Sequence, residues 1–413
     1  MRLAEYQSAD IELDSAAALD LMDVGDDKLR VRRSLQDGWW TITATQHVGT
    51  FVSGDFQVVV APKVEPAELL ELVTYSTMRM AFGRELFAYA DSPNVVVAAV
   101  QVFARMAEQA FVTGMDTRYV ERREPLMLVR GRMDVPQMLA RGGVLVPIPC
   151  RFEEMTHDTP RNRLVVRAAL AASSLPGLTP DVRASVAGVL GSLEGVPPAI
   201  EPEAVLPDAT RSNVHYEPLI ELSRLIIRGT SLQAQSGGRR AASFTIDMNK
   251  VFEDLVTDGL RHHLGEYVVQ AQRKKEFGRP MKGGPVVMYP DVIIADRDGT
   301  LRYVVDAKYK FEPGATGKNE DLYQLLAYTT GLDLPEGMLV YAPSVSRARD
   351  SEVTVRHTDK HLRWRSVSLA GGFDAVDTAL AGLADDIRRR IEDRDRGFAR
   401  TGVTLPKHLT THA

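Results

Sequence analysis

The sequence has almost no cysteine: Cys150 is the single one in 413 residues. That excludes an intrachain disulfide and a zinc site built on cysteines, and it fits a reducing cytoplasm. No secretory leader is expected either. The N-terminus, MRLAEYQSADIELDS, is polar and acidic, without the charged-then-apolar order of a signal peptide. No run of about 18 apolar residues stands out, so no membrane span is expected. Internal repeats and low-complexity tracts are absent. So is an excess of positive charge: 50 Lys and Arg against 55 Asp and Glu leave a net charge of −5. Phosphate contacts need Lys and Arg, so this balance speaks against a stand-alone DNA binder. It leaves room for a local basic groove, or for a chain delivered to DNA by a partner. There is no G-x-x-x-x-G-K-[ST] phosphate loop. The segment Gly314 to Asn319 resembles one at a glance, but its first glycine is too close and Asn319 replaces the hydroxyl. No nucleotide is therefore expected on this chain.

What is present is ordinary for a globular protein, with 44% hydrophobic and 25% charged residues. The length calls for two or three domains. Residues 1–90 read as a small β-rich module: Trp40–Thr45 and Phe56–Val60 carry strand patterns, Ser53-Gly54-Asp55 is a turn, and a helix follows from Pro66 to about Ala81. Residues 91–235 read as a mainly helical middle domain, with helices over Val95–Val112, after Arg163, and over YEPLIELSRLIIRG, the last capped by Gly229. The segment CRFEEMTHDTPRNR interrupts it, and the proline-rich stretch from Gly195 to Ala209 is a connector. Residues 236–413 read as an α/β domain with a central mixed sheet. It has a helix over Lys250–Leu264, strands at Val286–Met288, Asp291–Ala295 and Leu301–Tyr309, and a helix over Glu320–Thr330. A strand at Met338–Tyr341 and a charged helix from Asp374 to about Arg396 complete it. The expected class is α/β and multi-domain.

One segment of the third region carries chemistry: YPDVIIADRDGTLRYVVDAKYK. Asp298-Gly299 marks a hairpin, which can bring Asp291 beside Asp306, 15 residues on. Asp306 and Lys308 share a strand face because side chains alternate. Two carboxylates suit a hard, oxygen-seeking ion such as Mg²⁺, which activates water and polarises a phosphoryl oxygen. A neighbouring ammonium stabilises charge developing on phosphate. Glu253, on the helix before the sheet, is a candidate third acid and metal ligand. Gln324 and Tyr328, four apart on one helix face, are candidates to support the lysine or touch a DNA backbone. A triplet of this kind is weak alone. The hairpin, the apolar strand flanks and the flanking helices strengthen it.

Other features have simpler readings. His262-His263 point apart on a helix and read as solvated or capping. His157 reads as part of a structural loop that packs Asn162 and Arg163. Trp39-Trp40 reads as core packing with one partly exposed ring, and Arg388-Arg389-Arg390, interleaved with acids, as a solvated helix face. Arg273-Lys274-Lys275 and Arg279-Pro280-Met281-Lys282 are candidates for a DNA-facing loop.

The arrangement resembles the PD-(D/E)xK nuclease superfamily and its branch with a QxxxY helix. From about residue 30 to 345 the chain also resembles the McrC family, the nuclease subunits of McrBC-type modification-dependent restriction systems. The resemblance is carried by QHVGTFVSGDFQVVVAPKV, RGRMD, CRFEEMTHDTPRNR, YEPLIELSRLIIRG and FTIDMNKVFEDLV, in that order. It implies catalytic roles for Asp291, Asp306 and Lys308, and less directly for Glu253, Gln324 and Tyr328. It also implies Mg²⁺, with Mn²⁺ as a substitute, and cleavage of double-stranded DNA containing modified cytosine. The implied partner is a hexameric AAA+ GTPase motor of the McrB type, docked by the N-terminal region, which the chain stimulates. A stand-alone RecB-like repair exonuclease and a non-catalytic activator of a AAA+ ring are the alternatives.

Overall fold

The computed structural model describes residues 1–54, 56–75, 92, 94–142, 146–201, 205–234, 240–278, 280, 283–309, 316–342 and 350–401. Its contacts divide the chain into two units: Met1–Arg79 together with Thr245–Ala413, and Met80–Phe244. The N-terminal strands thus share a unit with the C-terminal sheet.

In chain order, β1 (Arg2–Ala4), β2 (Ser8–Glu12), α1 (Ser15–Met22), β3 (Leu29–Arg33), β4 (Trp39–Ala44), β5 (His47–Ser53), β6 (Phe56–Ala61) and α2 (Pro66–Val73) open the first unit. Strands β2, β4 and β3 form an antiparallel sheet. Strict alternation along β4 buries Trp40, Ile42 and Ala44 on one face. Trp39 stays half-exposed, and the Arg33 guanidinium lies 5.7 Å from the Trp40 ring centre. Strands β5 and β6 form the expected hairpin, with β1 parallel to β6. Asp55 of the expected turn, and residues 76–81 of the expected helix, lie outside the described residues. Strands β1 to β3 and helix α1 carry weak sequence patterns and were not anticipated. Asp14 caps α1 by accepting a 2.7 Å hydrogen bond from the Ala17 N–H.

The second unit contains α3 (Val95–Thr113), β7 (Arg118–Leu126), β8 (Arg132–Met133), α4 (Val135–Ala140), β9 (Ile148–Thr156), α5 (Pro160–Ser173), α6 (Pro180–Ser192), α7 (Glu217–Gly229) and β10 (Thr230–Ala234). Helices α3, α5, α6 and α7 pack on one another. Helix α3 is long and apolar enough to cross a bilayer by length and composition only, and it carries Arg105 and Glu108. Its apolar residues are mostly buried within this unit, as in a core helix. Helix α7 ends on Gly229, and the cap is Thr230, whose hydroxyl donates to the Ile226 carbonyl at 2.7 Å. The polar segment after Cys150 is a strand, β9, paired with β7 and β8. The loop after it is structural, as read. The His157 carbonyl accepts from Asn162 Nδ2 at 2.8 Å, and Arg163 grips Asp158.

Strand β11 (Arg240–Asp247) crosses from one unit into the other. Next come α8 (Met248–His263), β12 (Val268–Ala271), β13 (Lys275–Gly278), β14 (Val286–Met288), β15 (Val292–Ala295), β16 (Leu301–Lys308), α9 (Thr316–Gly331), β17 (Glu336–Tyr341), β18 (Ser351–Thr354), β19 (His361–Ser366) and α10 (Gly372–Thr401). A six-stranded mixed sheet runs in the order β12-β15-β16-β17-β19-β18. Strands β15 and β16 are antiparallel, whereas β17 runs parallel to both β16 and β19. The hairpin turn forms as expected: Gly299 has φ +91°, where a side chain is strained, and Asp298 accepts from the Thr300 N–H at 3.0 Å. One sheet face packs on α9 through Val304, Leu325, Tyr328 and Leu339. Helices α8 and α10 pack on each other and on β16. Two expectations for this region change. His263 is bound to Asp377 at 2.9 Å rather than being solvated. Arg388 and Arg390 are about a quarter exposed and hold Glu266 and Asp386, so only Arg389, 70% exposed, fits a solvated face.

Candidate active site

Asp306 and Lys308 stand near the end of β16, and Asp291 immediately precedes β15. The register pairs Val292 with Val305, so one further step sets Asp291 opposite Asp306. The Asp291 carboxylate closes that step by accepting a 2.9 Å hydrogen bond from the Ala307 N–H. Asp306 shares its sheet face with Val304, the face covered by α9, and it is fully buried. The Lys308 ammonium lies 2.7 Å from Asp306 Oδ2. That ion pair holds Oδ2, while Oδ1 is buried without a hydrogen-bond partner.

Burial pushes the Asp306 carboxyl up to about 7, and the nearby Asp291 charge adds to the shift. Asp291 is raised by burial and by Glu253. Burial pushes the Lys308 ammonium down, but Asp306, with Asp291 and Asp321 behind it, more than offsets this and holds it above the usual lysine value. The two aspartates interact, so their protons leave in two steps that belong to the pair rather than to either residue.

Glu253 approaches from α8. It is raised by burial, and it feels Lys308 as well as its own helix neighbours. Its carboxylate is held by Gln272, whose Nε2 donates to Oε2 at 2.9 Å. Among the described residues, no three His, Cys, Asp or Glu side chains converge into a ready metal cage. The structure therefore brings Asp291, Asp306 and Lys308 together and leaves Glu253 beside them, tied to Gln272.

The residues present still fit a divalent cation. A buried carboxylate oxygen without a hydrogen-bond donor, as Asp306 Oδ1 is, is costly, and a cation there satisfies it. Mg²⁺ needs only one or two protein carboxylates when water and phosphate complete its shell. Gln324 and Tyr328 meet on α9, where Gln324 Nε2 donates to the Tyr328 hydroxyl at 2.7 Å. That hydroxyl in turn donates to the Tyr289 carbonyl at 3.3 Å, two residues before Asp291.

Two neighbours were not anticipated from the sequence. Asp321 is buried, accepts a 2.9 Å hydrogen bond from the Tyr341 hydroxyl and acts on Lys308. Its position, one turn before Gln324, was the available signal. Gln272 has a left-handed backbone, φ +42°, and its N–H donates to the Asp291 carbonyl at 2.9 Å. Nothing in its local sequence marks it.

No curated protein matches the chain. Among solved structures, a chain of the Thermococcus gammatolerans McrB AAA+ hexamers with bound McrC is similar in fold. It has a TM-score of 0.59 and 18% identity over 94% of this chain and 99% of that one. A chain of the Thermococcus gammatolerans McrBC complex gives a TM-score of 0.47 and 17% identity, covering 65% of this chain and 89% of that one. A family model described as McrBC 5-methylcytosine restriction system component matches residues 42–342. That span holds Glu253, Asp291, Asp306, Lys308, Gln324 and Tyr328, and it shows that the chain belongs to the McrBC restriction-system component family.

Proposed function

We propose that this chain is the Mg²⁺-dependent DNA endonuclease subunit of a two-component, NTP-driven restriction system, cutting double-stranded DNA that contains modified cytosine. The observation that carries this reading is Asp306. A fully buried carboxylate that faces a second carboxylate, is met by a lysine at one oxygen and has no hydrogen-bond partner at the other is poorly suited to a purely structural role. Asp306 and Asp291 would hold the ion, with Glu253 as the candidate third acid beside them. The bound ion supplies Lewis-acid polarisation of a phosphoryl oxygen and acidifies a water.

The chain's own groups do the rest. Lys308 stays protonated next to Asp306, so its ammonium is set to receive the negative charge that builds on the phosphate oxygens. Asp291 is locked to the β16 backbone, so the spacing of the two carboxylates is set by sheet register rather than by a loop. The Gln324–Tyr328 pair holds the Tyr289 carbonyl and with it the start of the Asp291 strand.

The partner reading, a AAA+ GTPase motor, rests on the family and on the complexes that share this fold. It is also supported by a surface in the second unit. Helix α4 has no buried residue, and Met127, Leu128, Met133 and Leu139 around it are at least half exposed. Apolar surface of this kind suits a protein partner. The deciding experiment combines the chain with its AAA+ partner, GTP, Mg²⁺ and cytosine-methylated plasmid, with wild type beside Asp306→Ala. Linear product from wild type alone is the expected result. If neither cuts while GTP hydrolysis still rises, the chain is an activator without nuclease activity.

A further inference from the structure

The hairpin β13–β14 forms a small sheet of its own, and both of its roots reach the candidate active site. At the entering root, Gln272 holds the Glu253 carboxylate with its side chain and the Asp291 carbonyl with its N–H. Its left-handed backbone, disfavoured for a residue with a side chain, is kept by those two bonds. At the leaving root, the Tyr289 carbonyl is held by Tyr328, and Pro290 leads directly to Asp291.

Three cations follow Gln272. Arg273 and Lys274 are exposed, and Lys275 is half-buried. Among the described residues, none of their side chains makes an ion pair or hydrogen bond. The contrast with α10 is sharp, since Arg388, Arg390 and Arg396 there all hold carboxylates. In a chain of net charge −5, three neighbouring cations beside a carboxylate set, spent on no internal pair, are free to meet an external anion. The register pairs Lys275 with Met288, so one further step sets Lys274 across from Tyr289. The Tyr289 side chain is 53% exposed. A cation opposite an exposed aromatic ring is the combination that holds a nucleic-acid strand by phosphate and by nucleoside face.

We propose that this hairpin root is the grip on the DNA strand to be cut. Arg273, Lys274 and Lys275 take backbone phosphates, Tyr289 covers the adjoining nucleotide, and Gln272 ties the grip to Glu253 and Asp291. The proposal rests on the nuclease reading above.

The test uses the full chain and a short fluorescent DNA duplex, with binding read by anisotropy across a salt series in EDTA. The triple variant Arg273→Ser, Lys274→Ser, Lys275→Ser is compared with wild type and with Arg389→Ser, Arg396→Ser, which removes exposed charge elsewhere. The triple variant should bind about 10- to 100-fold more weakly and lower the slope of log K against log salt by about 2 to 3. The α10 control should stay near wild type, and all three proteins should melt alike. In the assembly with its motor, the triple variant should need about 10- to 100-fold more DNA for half-maximal cutting than wild type. Unchanged affinity and slope in the triple variant, an equal loss in the control, or no salt-dependent binding by wild type overturns the proposal. An Asp306→Asn chain that still cuts removes the nuclease reading and this proposal together. A dead Asp306→Asn beside a triple variant that binds and cuts normally removes the grip alone.

Discussion

At Asp306, burial and charge work against each other. An ordinary aspartate loses its proton near 3.9, but here burial and Asp291 push that up to about 7. Between those values the folded chain keeps a proton that the unfolded chain releases. Stability of the metal-free protein therefore falls as pH rises from about 4 to 7, and the full cost, on the order of a few kcal/mol, is present above 7. Asp306→Asn removes the charge and most of that dependence. Melting in EDTA should show the variant more stable than wild type at pH 8 and nearly equal at pH 4. Parallel melting curves across that range would contradict this account. The same proton must leave when a cation binds, so Mg²⁺ affinity measured by calorimetry should strengthen between pH 6 and 8. Tyr328→Phe deletes the hydroxyl that joins Gln324 to the Tyr289 carbonyl. It should cost about 1 kcal/mol of stability and lower the cleavage rate more than DNA affinity, since the loosened segment leads to Asp291. An unchanged rate would show that the pair is structural only.

Among the elements, β17 shows how the sheet and helix that frame the site are held. A Cβ on Gly337 would sit 2.9 Å from atoms of Val304, Leu325 and Thr329. These belong to the neighbouring strand and to α9, and close-packed interiors do not absorb a methyl group freely. Gly337→Ala should destabilise by about 1–3 kcal/mol in urea unfolding. A neutral result would mean α9 can shift, and with it Gln324 and Tyr328. A second joint lies just past Lys308. The Tyr309 hydroxyl donates to Glu5 Oε1 at 3.0 Å, the Lys63 N–H donates to the same oxygen, and the Tyr309 ring lies 6.2 Å from that of Phe252. The turn after β1 and the segment after β6 thus clasp the end of the strand that bears Lys308. Glu5→Ala leaves that buried phenol without its carboxylate, at about 1–3 kcal/mol.

For the whole molecule, the division of the chain is discontinuous. Residues 1–79 complete the unit that contains the six-stranded sheet, through buried contacts such as Glu5 with Tyr309 and Tyr75 with Phe373, whose rings are 5.1 Å apart. A fragment starting at Thr245 should therefore be poorly folded alone, and co-expression with residues 1–79 should restore cooperative unfolding. Cooperative melting of the isolated fragment would show the N-terminal strands to be an accessory layer.

Where a feature depends on neighbours in the chain, the sequence alone determined it. The Asp298-Gly299 hairpin sets β15 against β16, strand alternation puts Asp306 and Lys308 on one face, and helical spacing pairs Gln324 with Tyr328. The apolar periodicity of α8 placed Glu253 near the sheet for the same reason. Features that depend on distant partners were not legible. Gln272 acquires meaning only when its backbone meets Asp291 and its side chain meets Glu253. Asp321 counts only because Tyr341 and Lys308 come to it across the sheet. The short strands β1, β2 and β3 have too few apolar residues to announce themselves, and only pairing with β4 and β6 makes them strands. The tertiary structure alone decided that residues 1–79 belong with the C-terminal sheet, because burial between segments so far apart in the chain, 1–79 and 245–413, leaves no periodic trace in either.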